Sequence, residues 1–498
     1  MAEFLGCRRW MPVALLALAV ALVTGASASG SISLARVSAD PFTTTTNQHA
    51  TEVEPDTFAH GSTVVAAFQV GRFFDGGAND IGYARSGDGG ATWSTSSFIP
   101  GLTYDSGDFS DQSSTFQRVS DASVAYDAKH GVWLISSIPL TAAPIVVPTV
   151  YVSRSTDDGK TFPTTVTIPP PAKKDDLDKN WTVCDNTASS PFFGRCYTEF
   201  DSPGEGDLEY MSTSSDGGLT WSAPVSPAGS PHGLGGQPIV QPNGTVVVPF
   251  ESLKGTIGVF QSSDGGQTWS HERPIAKIAF HAVAGGLRTI PLPSAEIDGS
   301  GRVYVAWEDC RFRVKCATND IVFSTSDDGV NWSAVERVPI DDVSSGADHF
   351  IPGLGVDPAT SGSGAHLALT YYYYPNGACT TATCQLDVGY VSSPDGGAHW
   401  SSPTQLAGPM SLSDIALTTS GPMVADYIST SFAGGTAATV FAVGLPHTGT
   451  TFDEGIWAPS APLTVASAAQ ATNLASAAGV QASTGGGANE VVLHQRDN

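Results

Sequence analysis

The chain has 498 residues, of which 54 are Gly and 33 are Pro, so about one residue in six bends or breaks regular backbone. That density excludes a mainly helical protein and predicts an all-β, loop-rich architecture. With 41% hydrophobic and 14% charged residues the chain buries a large core, which excludes a disordered or collagen-like polymer. Lys and Arg number 23 against 48 Asp and Glu, a formal charge of −25 that repels phosphates and excludes nucleic acid as a partner.

In chain order, residues 1–28 come first. Arg8 and Arg9 precede an apolar run over residues 11–23 and the small residues Ala26, Ser27 and Ala28. This is the layout of a secretory signal, with cleavage expected after Ala28. Cys7 stands where a twin-arginine signal carries Ser or Thr, so ordinary export is expected. The run is short for a bilayer span and no other stretch of 18 apolar residues follows, so the mature protein is expected to be secreted, not membrane-embedded, and monomeric. Six cysteines remain in three local couples, which in an oxidising compartment predicts the disulfides Cys184 to Cys196, Cys310 to Cys316 and Cys379 to Cys384. Clustered Cys/His ligand spacing is absent, so no metal and no cofactor are expected.

One pattern, Ser-x-Asp-x-Gly-x-Thr-Trp, recurs six times. The copies are SGDGGATW, STDDGKTF, SSDGGLTW, SSDGGQTW, TSDDGVNW and SPDGGAHW, with the shared Asp read at 88, 157, 216, 264, 327 and 395. Ser and Asp bond nearby backbone amides, Gly takes a backbone region closed to other residues, and the aromatic residue ends the turn as an apolar plug. The copies therefore hold tight turns. They carry neither catalysis nor calcium, since a calcium loop needs a longer ladder of ligands. Between them lie short apolar runs such as residues 64–68, 131–135, 245–249 and 302–307, each after a polar turn, which reads as buried strands. The repeat interval suits one four-stranded sheet, so the expected fold is a single β-propeller. Six boxes mark six blades. A seventh, boxless blade over residues 413–443, closing against the N-terminal strand, is preferred to a six-bladed count. The propeller is placed at 29–457, followed by an Ala/Ser/Gly-rich tail at 458–498 with a possible strand at 489–495.

The six boxes resemble the Asp-box (BNR) repeats of the sialidase superfamily over most of residues 52–400. In that family the box joins the third and fourth strands of a blade, on the face away from the active site. The resemblance implies a sialidase-like propeller, a fold that also serves other glycan-cleaving enzymes, sorting receptors and assembly factors. The stretch from Val53 to Arg72 is similar to the sialidase opening. Arg72 matches a family Arg, Asp75 lies near the acid/base Asp, and Val53, flanked by Glu52 and Glu54, replaces the first arginine of the substrate carboxylate clamp. The resemblance makes Arg311 a counterpart of a second clamp Arg and Tyr427 the counterpart of the nucleophilic Tyr, with Glu251 or Glu296 as its partner.

If the boxes mark one face, function belongs to loops on the other. Those loops are read as carrying Arg72, Asp75, residues 199–209, Glu251, Glu308, Arg311, His281, Asp348, His349, Tyr427 and the tyrosines at 371–374, charged and aromatic groups that suit an extracellular glycan. The candidate catalytic residues are Asp75, Glu251 and Tyr427, and the candidate substrate-binding residues are Arg72, Arg311 and Glu308. Three readings follow. The first is a glycoside hydrolase with Asp75 as acid/base and Glu251 or Glu308 opposite. The second is a non-catalytic glycan- or protein-binding propeller presenting the tyrosines at 371–374. The third is an exo-sialidase with an altered carboxylate clamp. A serine nucleophile elbow, a P-loop and an HExxH motif are all absent, which excludes the enzyme classes they mark.

Overall fold

A computed structural model describes residues 1, 32–103, 116–142, 144–172 and 176–471. Residues 2–28 of the expected signal, the tail beyond 471 and its possible strand lie outside the described residues. The fold is all-β, and among the described residues the helical segments are five 3-10 turns of three residues each. No helix among them is long and apolar enough to cross a membrane.

The chain lays down antiparallel sheets one after another. The first combines Glu52–His60, Thr63–Arg72, Ala78–Ser86 and Ser97–Phe98, the second combines Arg118–Asp127, Val132–Ala142, Ile145–Val146, Tyr151–Ser155 and Thr164–Thr167, and the pairing of Ala78 with Val119 joins the two into nine hydrogen-bonded strands. The third joins Asp178–Cys184, Cys196–Ser202 and Leu208–Ser214. The fourth joins Gly233–Leu234 and Ile239–Val240 to Val246–Ser252, Thr256–Ser262 and Arg273–Lys277. The fifth runs Ser294–Ile297, Val303–Asp309, Asp320–Ser326 and Glu336–Arg337, and the sixth runs Asp348–Val356, Leu367–Tyr374, Gln385–Ser393 and Thr404–Ser411. After the sixth, Thr430–Ala433 pairs Thr436–Thr439, and Phe441–Gly444 pairs Glu454–Pro459. The N-terminal strand Leu34–Arg36 then pairs Glu454–Pro459, with Leu34 opposite Pro459. Ordered strand thus runs past position 457, through Leu463–Thr464.

The central strands of the first, third and fifth sheets are buried along their whole length, and they carry buried polar residues such as Glu199 and Glu308 among the apolar ones. Every residue of Thr63–Arg72 is buried. Tyr197, Met211, Val248, Phe250 and Trp269 form the core between the third and fourth sheets, while Val247, Val259, Val305 and Trp307 form the next. The first strands of the successive sheets neighbour one another in order, and the last of them, Thr430–Ala433, returns to Glu52–His60.

Each box lies between the third and fourth strands of its sheet or, in the third sheet, between Leu208–Ser214 and the bridge of Val225 to Met211. In all six the Ser hydroxyl donates to the box Asp at 2.7 to 3.1 Å. The same carboxylate accepts an amide further along, as from Thr92 at 2.8 Å. The fifth box departs from the sequence reading. Its turn is held by Asp328, which accepts from the Val330 and Asn331 amides at 2.8 and 2.7 Å, while Asp327 pairs with Arg302. The reason is a missing residue: Ser326 and Trp332 are six apart, where Ser86 and Trp93 are seven apart. The other boxes place two successive residues in the left-handed region, as at Gly89 and Gly90, and the fifth places Gly329 alone. The box glycine also lies against the preceding sheet. A Cβ on Gly159 would sit 2.6 Å from Val65, and one on Gly90 would sit 2.8 Å from Ala438. All three predicted disulfides are formed, Cys184–Cys196, Cys310–Cys316 and Cys379–Cys384.

Candidate functional site

A pocket of about 370 Å³ opens where the inner strands begin. Its wall takes Glu54 and Arg72 from the first sheet, Asp121 from the second, Lys179 from the third and Glu251 from the fourth, with Arg288 from the segment before the fifth. Register fixes its place relative to the boxes. Val246 pairs Ser262 at the box end of the fourth sheet, and Glu251 lies at the other end of the same strand. Arg72 and the box residue Ser86 are likewise at opposite ends of the first sheet, since Arg72 pairs Ala78 and Val64 pairs Ser86.

A repeated backbone irregularity aims the polar groups. Four inner strands carry a bulge, between Val53 and Asp56, Ser120 and Ser123, Asp178 and Trp181, and Phe350 and Gly353. In each, a residue adopts positive φ: Glu54 at 52°, Asp121 at 51°, Lys179 at 49° and Ile351 at 48°. Such angles are uncommon away from glycine and gather at functional sites, because a bulge re-aims a side chain. Three of these four residues line the pocket.

The floor is a network of buried charge. Lys179 Nζ lies 2.5 Å from Asp426 and 3.7 Å from both Glu54 and Asp121. Arg288 grips Asp426 with two nitrogens at 2.8 and 2.5 Å. Glu54 accepts hydrogen bonds from Gln69 and from the Asp426 amide. Burial disfavours the Lys179 charge, but Asp121, Asp426 and Glu54 together push its pKa well above the usual lysine value. Burial also disfavours the Asp426 charge, yet Arg288 and Lys179 hold that carboxyl well below its ordinary range. Glu54 goes the other way: burial, with Asp121 and Asp426 nearby, raises it to about 8 against the pull of Lys179.

Glu251 stands apart from the network. It is 3% exposed, one of its carboxylate oxygens has no hydrogen-bond partner, and burial pushes its pKa up to about 7. Burial thus keeps this carboxyl protonated to a higher pH than an exposed glutamate.

The other residues singled out from sequence fall in different places. Asp75 sits half-buried on the rim loop, ion-paired with Arg118 at 2.7 Å, beside Gly76 and Gly77 of the wall. Arg72 lines the pocket and donates to Gln69 at 3.2 Å. Tyr427 is buried behind the wall, its hydroxyl donating to the Ala122 carbonyl at 3.2 Å and its ring 5.8 Å from Lys179. Glu308 is fully buried and accepts the Ile351 amide, and Arg311 is held by Asp309 at 2.7 Å; neither lines the pocket. The tyrosines at 371–374 belong to the strand Leu367–Tyr374; Tyr371, Tyr372 and Tyr374, at 0 to 1% exposure, form core, and Tyr373 is half-buried. The expected loops at 199–209 and at 348–349 are largely strand too, and Glu199, Glu209, Asp348 and His349 are buried in it. Sequence reasoning did not single out Asp121, Lys179 and Arg288. The first two stand in strands that carry further charged residues, Arg118 and Asp127 beside Asp121 and Asp178 beside Lys179, so composition alone does not mark them.

No family model matches the chain, and no curated protein matches it. Among solved structures it is similar to a protein of unknown function from Dyadobacter fermentans, at 16% identity and TM-score 0.47, over 73% of this chain and all of that one. It is also similar to a Hadza microbial sialidase, at 18% identity and TM-score 0.45 over 65% of this chain and 64% of that one. An ulvan lyase of a new polysaccharide lyase family is matched at 12% identity and TM-score 0.45, over 86% of this chain and 93% of that one.

Proposed function

We propose that the chain is a secreted, seven-bladed Asp-box propeller of sialidase-like kind that cleaves extracellular glycans as a glycoside hydrolase. Two features support seven blades: the cycle of neighbouring first strands, and the strand Leu34–Arg36 acting as the outermost strand of the last, boxless blade. The observation that carries the reaction is Glu251, a buried carboxyl on the pocket wall with one oxygen unpartnered and its pKa raised by burial to about 7. A general acid for glycosidic oxygen needs a proton at working pH and a position on the substrate cavity, and Glu251 has both. Asp75 on the rim loop is the second carboxylate, and Arg72 is a substrate contact. Tyr427 acts behind the wall by packing on Lys179.

A carboxylate clamp is not favoured. Arg288 is committed to Asp426, and Val53 is fully buried where the family keeps an arginine. Little or no turnover of a fluorogenic sialoside is expected, with hydrolysis found instead on sugars lacking that carboxylate. The test is a hydrolysis screen of neutral and uronic glycosides with wild type, Glu251→Gln and Asp75→Ala. A general acid is worth roughly a hundred- to ten-thousand-fold, so Glu251→Gln should lose that much in kcat while its circular dichroism is unchanged. Binding without hydrolysis across the screen would make the protein a glycan-binding propeller, and turnover that survives Glu251→Gln would overturn the assignment.

A further inference from the structure

The pocket has two kinds of surface. Its floor is charged, but its sides are mainly aliphatic: Ile138, Leu140 and Ile145 stand on the second-sheet side, and Val283, Leu287 and Ile290 come from the segment before the fifth sheet, with Phe280 the one aromatic residue of the lining. Sugar rings are ordinarily packed against aromatic faces, whereas branched aliphatic walls suit flexible hydrocarbon. The apolar character continues outward. Phe74 is 51% exposed on the loop whose Gly76 and Gly77 line the pocket, and Leu417 is 50% exposed on the hairpin whose Ser420 lines it. The two loops are tied together by the Thr419 amide donating to the Phe74 carbonyl at 3.1 Å. Among the described residues only six large apolar side chains are exposed, and two of them stand on loops that border this pocket.

We infer that the pocket selects a glycoside carrying an alkyl or acyl substituent, the polar sugar resting on the floor of Glu54, Asp121 and Lys179 and the hydrocarbon lying along the aliphatic sides toward Phe74 and Leu417. This rests on the glycan reading of the same pocket. Continuity decides the occupant: charged floor, aliphatic sides and exposed apolar rim form one path, which an amphiphilic glycoside covers along its whole length. A free sugar would leave the sides wet, and a simple hydrocarbon would strip water from the floor charges and put no polar group in its place.

The test is calorimetric titration of the full chain with methyl and n-octyl pairs of β-glucoside, β-galactoside and β-glucuronide, with n-octanol as a further arm. For the sugar that binds, the octyl form should be tighter by at least about a hundredfold, since each buried methylene contributes roughly fourfold. The double variant Ile145→Ser/Ile290→Ser should bring the octyl form to within about threefold of the methyl form and leave methyl glycoside binding unchanged. Both positions are only half-buried, so the fold tolerates the change, and an unaltered thermal transition verifies it. Equal affinity for methyl and octyl forms would overturn the inference while leaving the glycan reading intact. Octanol binding as well as any octyl glycoside, with no methyl glycoside bound, would overturn the glycan reading.

Discussion

Asp426 shows how much of the pocket depends on one side chain. It has no contact with solvent, and it compensates both Lys179 and Arg288 at hydrogen-bond distance. Removing one member of a buried ionic set leaves its partners desolvated without compensation, a cost of about 3 to 5 kcal/mol. Asp426→Asn should therefore lower the urea midpoint by that equivalent and weaken ligand binding, whereas Asp426→Glu should recover part of the loss. An unchanged midpoint in the Asn variant would show that the network adds nothing to stability. The same reasoning explains why Lys179 stays charged although buried: three carboxylates surround it.

At the scale of elements, the box is a turn that also fastens one sheet to its neighbour. The fifth copy offers a direct check, because Asp327 and Asp328 are adjacent and do different work. Asp328→Ala should lower the thermal transition clearly, since it removes the acceptor of the Val330 and Asn331 amides, and Asp327→Ala should lower it little, since an exposed pair with Arg302 contributes little. The reverse order would restore the reading of Asp327 as the box residue. The boxes, the disulfide couples and the apolar central strands were legible in sequence because each is a local pattern. The floor of the pocket was not. Glu54, Asp121 and Lys179 meet because bulges in three separate strands rotate them to one place, and neither periodicity nor spacing encodes that convergence. The tyrosines at 371–374 misled for a related reason: a run of aromatics with polar tips resembles a binding surface, yet in a strand covered on both faces it is core.

For the molecule as a whole, opposite pKa shifts define a pH range of stability. Burial raises Glu52 and Asp56 to about 7 and Glu209 to about 8, besides Glu54 and Glu251. A carboxyl raised in the folded state contributes stability that is fully present below its unfolded pKa and is lost as pH climbs through its folded value. Stability should therefore decline from about pH 4.5 to about pH 8. The box carboxylates act the other way: hydrogen bonds from Thr92 hold Asp88 down at about 2, and those from Asn331 hold Asp328 there as well. Their contribution is present above the unfolded value of roughly 4 and is lost as pH falls toward 2. Thermal transitions followed from pH 2 to pH 9 should peak near pH 4 to 5, and a maximum at pH 8 would contradict the burial of these carboxyls in their neutral form.

The pairing of Leu34–Arg36 with Glu454–Pro459 also dictates an order of assembly. Partners more than four hundred positions apart cannot meet while the chain is still being made from its N-terminus, and in refolding the long loop between them slows their encounter. The first strand must wait, with its edge unpaired, until Pro459 has appeared, while Arg36 finds its ion-pair partners at both Glu52 and Asp453. Until that pairing forms, the strand edge of Glu454–Pro459 that receives Leu34–Arg36 is open to capture by another copy.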